Sequence, residues 1–217
     1  MDLKLITDRT KADVDLAASI AEKIKKGTAT EAERQYYLYG ETIPLECLDG
    51  PLTCTDGPLT AGNGVTKGGY NDVDLNRVES AVQTLQGVLN TMPETLLAHM
   101  AAQGVAVDQL FLPPYYPTVY ELETKTDWIE PDYPVPEQMA RYLQNVRTLR
   151  GTLPLPGDLP ELPGSMDDLD HVGANSIEET LLAVDRAAAE TEAALLTLID
   201  NTAAAFYQSG ELYGGEI

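Results

Sequence analysis

The chain has 217 residues, 43% of them hydrophobic, with 35 acidic against 14 basic side chains and a net charge of −21. That is enough apolar material for one or two domains with a real core. No apolar run approaches the ~20 residues of a membrane span, Met1-Asp2-Leu3-Lys4 lacks the layout of a secretion signal, and so acidic a surface repels nucleic acid and anionic lipid. Seven of the 14 bases fall in the first 34 residues, whereas Gly151 to Ile217 holds 13 acids and the single base Arg186. That asymmetry suits solubility or an acidic face for basic protein partners.

Residues 1–40 read as an N-terminal helical segment. Thr10 to Lys26 is a helix, capped by Thr10, with Lys23, Lys25 and Lys26 at its negative end and Gly27 as its stop. Thr30 with Glu33 is a capping box for a shorter helix to about Tyr39. Residues 41–69 form a Gly/Pro/Thr loop insertion with a tandem echo, Asp49-Gly50-Pro51-Leu52-Thr53 and Asp56-Gly57-Pro58-Leu59-Thr60. Cys47 and Cys54 lie in it; they suffice for one disulfide but are expected as free thiols of a reducing compartment.

Residues 70–151 are a central helical region. Leu75, Val78, Val82, Leu85 and Leu89 predict a helix over Asp74 to Asn90, and Pro93 is placed in the first turn of another that stops at Gly104. Leu110 to Glu123, rich in Tyr and Pro, reads as extended, with a strand near Thr118 to Leu122. Pro136 to Arg150 is helical, and residues 152–165 form an extended Pro-rich linker. Residues 166–217 carry a long helix, Asn175 to Gln208, and a tail. Its stripe of Ile177, Leu181, Val184, Ala188, Thr191, Leu195, Leu198, Thr202 and Ala205 alternates steps of four and three. Such a stripe serves a bundle helix packed in its own chain or a self-association seam. The predicted class is mainly α: a helical bundle with a long C-terminal helix, Pro/Gly-rich loops and a few short strands.

Motifs for chemistry are absent or broken. Asp72, Asp74, Asn76 and Glu79 lack the loop length and central glycine of a calcium site, and capping by Asn71 or Asp72 explains that stretch better. Gly62 to Gly69 lacks the glycine before and the Ser/Thr after Lys67 that a phosphate loop needs. Gly164-Ser165 is no nucleophile elbow, and neither His99 nor His171 has an evident partner. No catalytic residue, metal ligand or cofactor is expected. Eleven tyrosines against two phenylalanines favour aromatics with a polar handle. The interface candidates are therefore Trp128, Tyr115, Tyr116, Leu181, Val184, Leu195 and Leu198. Trp128 also reads as an anchor packing the Lys125 to Val135 segment onto the helices, and Tyr115-Tyr116 between prolines as a rigid connector.

Three segments share one plan, a polar capping stretch leading into an amphipathic helix: Lys67 to Glu79, Lys125 to Met139, and Asp170 to Glu178. With Ile6-Thr7-Asp8-Arg9-Thr10-Lys11-Ala12-Asp13-Val14-Asp15, Tyr70-Asn71, Asp74 to Glu79, Lys125-Thr126-Asp127-Trp128, Arg141-Tyr142-Leu143, Asn145-Val146, Ala174-Asn175, Ile177-Glu178 and Ser209-Gly210-Glu211-Leu212-Tyr213, they form an ordered set over most of the chain. This set resembles phage tail and baseplate proteins of phages and prophages of Gram-positive gut bacteria; the loop at 41–66 departs from them. The resemblance implies a non-enzymatic virion structural protein, made in the bacterial cytoplasm and built into the tail as a homo-oligomer among other tail or baseplate proteins, with no nucleic acid or membrane partner. Two other readings stand beside it: an acidic regulator that binds a basic host protein, and a tail-associated glycan hydrolase with a carboxylate pair.

Overall fold

Helix starts are fixed by local chemistry. Thr10 accepts the Asp13 N–H while the Asp13 carboxylate accepts the Thr10 N–H at 2.7 Å, opening α1 (Lys11–Lys25). Gly27, at φ 71°, turns the chain, and the reciprocal Thr30–Glu33 pair opens α2 (Glu31–Tyr39). Lys23 binds Glu33 across the turn and closes a helical hairpin. In this computed structural model residues 3–39, 67–105, 121–129, 132, 134–167 and 169–213 are described. Cys47, Cys54, Tyr115, Tyr116 and nearly all of the 41–69 insertion lie outside them.

α3 (Asp72–Ala102) is one helix, not the two predicted around Pro93. Its buried stripe, Leu75, Val78, Val82, Leu85, Leu89, Met92, Leu96 and Met100, crosses the proline without a break. An interior proline costs about 3 kcal/mol, but each buried Leu or Met contributes about 1.5–3 kcal/mol, so the continuous face wins.

α4 (Pro136–Arg150) follows, and α5 (His171–Tyr213) is the longest helix. α5 starts four residues before the predicted Asn175, because the Asp170 carboxylate accepts the Gly173 N–H at 2.8 Å and so moves the cap upstream. Its stripe follows prediction through Ile177, Leu181, Val184 and Ala188, all at most 1% exposed, and then departs from it. Ile199 and Ala203 are buried, while Leu198 is 43% exposed. A helix of 3.6 residues per turn drifts about 20° per heptad, so over several heptads a straight helix replaces a strict seven-residue stripe with its neighbour.

α3, α4 and α5 run parallel. Arg9 and Arg77 join the start of α3 to Glu178 near the start of α5, and His99 meets Asp200 at 2.7 Å near the end of α3. Two non-helical segments make the returns. Residues 121–129 run back along α3: Gln86 accepts the Leu122 N–H at 3.1 Å, and Asn76 exchanges two 2.8 Å hydrogen bonds with the Trp128 backbone. The proline-rich stretch runs back along α4, with Arg150 donating to the Pro160 carbonyl (2.6 Å) and Arg147 to that of Pro163 (2.7 Å). The three helices therefore begin together at one end, the head, around a single core that includes Trp128 and Tyr142.

No strand occurs among the described residues. Of the predicted strand, Thr118 to Tyr120 lie outside them, and Glu121–Leu122 belong to no strand. Helix side chains satisfy this backbone instead: Gln86 takes the Leu122 N–H, and Asn145 donates to the Glu123 carbonyl at 2.8 Å. No described helix is long and apolar enough to cross a membrane.

Candidate functional site

The head holds a buried ionic clasp. The N-terminal segment enters without regular secondary structure, and Arg9 donates through Nη2 to Asp74 Oδ1 and Glu178 Oε1, both at 2.8 Å. Arg77, one turn along α3 from Asp74, binds the same two carboxylates. Two guanidiniums thus face two carboxylates, with Arg9 2% and Asp74 and Glu178 0% exposed at their side chains. Burial works against the Arg77 charge, yet the Glu178 and Asp74 carboxylates outweigh it and hold its pKa above the usual range.

Backbone contacts complete the clasp. Ile6 N–H donates to Glu178 Oε2 at 2.5 Å, Arg9 Nη1 returns to the Ile6 carbonyl at 2.6 Å, and Asn175 pairs with both the N–H and the carbonyl of Arg9 (3.1 and 2.9 Å). The Arg9 guanidinium lies 5.5 Å from the Tyr70 ring centroid. Tyr70 hydroxyl meets Tyr142 hydroxyl, and burial pushes both phenols upward. Asn71 caps α3, receiving the Val73 N–H at 3.0 Å.

A second ion pair, half-buried on its arginine side, lies further along α3. Arg141 of α4 binds Glu79 at 2.7 Å and also the Glu123 carbonyl. Burial raises the Glu79 carboxyl above its ordinary value, and the Arg141 charge only partly opposes this. Lys125 sits 4.8 Å from the Trp128 ring centroid and is held by Asp127 (2.8 Å) and Asp132 (3.2 Å). Three of the four residues weighed as calcium ligands are thus spent elsewhere: Asp74 on arginines, Asn76 on the Trp128 backbone and Glu79 on Arg141. Among the described residues no group of three or more His, Cys, Asp or Glu is placed to hold a metal ion.

Among the described residues, clefts open on the head. One, of about 510 Å³, lies between α1, residues 67–70 and the start of α5, with Lys11, Lys67, Asp15 and Asp170 on its walls. The other, of about 380 Å³, lies between Tyr70, Leu75, Pro134, Met139, Met166 and Leu169, with Asp167 on its edge. Tyr70 and Leu169 line both.

The predicted interface residues separate. Trp128 (3% exposed), Leu181 and Val184 (both 0%) are taken up by the chain's own core, so they offer no contact surface. Leu195 packs half-buried against that core, and Leu198 is exposed. Trp128 is the anchor of the 121–129 return segment. His99, without an evident partner in the sequence, meets Asp200. Sequence reasoning missed Arg9, Asp74, Arg77 and Glu178 as a unit; the available signal was that all four fall within the ordered motif set.

Neither a family model, a curated protein nor a solved structure matches the chain.

Proposed function

We propose that the chain is a structural subunit of a phage tail or baseplate, acting by protein–protein assembly in several copies. The observation that carries this reading is where the tail-like motifs go in the fold. Arg9, Asp74, Arg77, Arg141, Asn145, Asn175 and Glu178 all join one element to another inside the head. Motif residues spent on internal fastening suit a part whose job is to hold a shape under load. The two neighbouring acids Asp74 and Glu178 expose no side-chain surface and each meets two guanidiniums, which gives the glycan-hydrolase reading no reactive carboxylate there.

The test is localisation. Tails purified from induced lysates are analysed by mass spectrometry and cryo-microscopy. Density fitting three parallel helices at symmetry-related positions supports the proposal, and tails that lack the chain overturn it.

A further inference from the structure

We draw no further inference here: the strongest candidate, the cleft of about 510 Å³ between α1, residues 67–70 and the N-terminus of α5, carries none, because Lys11 is paired with Asp15 and Lys67 with Asp8, Asp170 caps the helix, and nothing in the structure shows what would occupy it.

Discussion

Arg9 and Glu178 lie 169 positions apart in the chain and meet at 2.8 Å inside the head, with almost no exposed surface on either. The contact ties the incoming N-terminal segment to the longest helix, and Asp74 and Arg77 extend it to α3. Its strength comes from balance. Remove one guanidinium and two buried carboxylates share a single counter-charge.

Arg9→Met is therefore expected to destabilise the fold by about 3–5 kcal/mol, the usual effect of leaving a buried charge uncompensated. Combining it with Glu178→Gln, which removes the orphaned charge, should recover part of that loss. Chemical denaturation of the two single variants and the double variant, read as a cycle, checks this. An additive double variant would mean that the two residues do not act as a unit.

Much of this architecture was legible one element at a time. Thr10, Thr30 and Asn71 announce helix starts because capping is decided within three residues. The heptad steps of α3 are equally local, although the rule that proline ends helices hid the continuity through Pro93. What the sequence could not convey was pairing at a distance. Parallel helices need long return segments, and residues 121–129 carry no periodic signal, because Asn76, Gln86 and Asn145 hold their backbone from elsewhere in the chain. The clasp was hidden for the same reason: Arg9, Asp74 and Glu178 each look like an ordinary solvated charge until the fold brings them together.

Gly68 sits directly against the backbone of α1. A Cβ there would lie 1.9 Å from the Asp13 carbonyl oxygen, a backbone atom that cannot move aside cheaply. Gly68→Ala should pry residues 67–70 away from α1 and weaken the Lys67–Asp8 ion pair (2.7 Å). Faster amide exchange across residues 11–15, with α3 protection unchanged, is the expected signature. Gly87→Ala, on an open face of α3, is the control and should be neutral or slightly stabilising.

Two glutamates give opposite pH dependences. Glu33 is held down to about 2 by its hydrogen bond to Lys23. Because its folded value lies below the ordinary 4.5, its contribution is present above 4.5 and is lost as pH falls towards 2. Glu79 is raised by burial. The folded state then holds its proton more tightly than the unfolded chain, so its contribution favours folding at acid pH and is lost as pH rises through the raised value. Carboxyl carbon shifts followed by NMR should show Glu33 titrating near 2 and Glu79 above 4.5. Adding salt should move Glu33, whose pair is exposed, more than Glu79.

Leu198 and Ile199 are neighbours of similar size with opposite environments, 43% and 0% exposed. A strict seven-residue seam would bury Leu198, whereas the drift of a straight α5 turns Ile199 inward. Ile199→Ala should cost about 2–5 kcal/mol through lost burial and the cavity left behind. Leu198→Ala should cost less than about 1 kcal/mol in an isolated copy, since it removes little buried surface. Thermal unfolding of the two variants at low protein concentration distinguishes these outcomes. If Leu198 also meets a neighbour in an assembly, the gap between the two variants should narrow as concentration rises, because only the assembled state would bury Leu198. The reverse order in dilute solution would mean that α5 keeps the heptad face and that its packing on α3 is different from the one described.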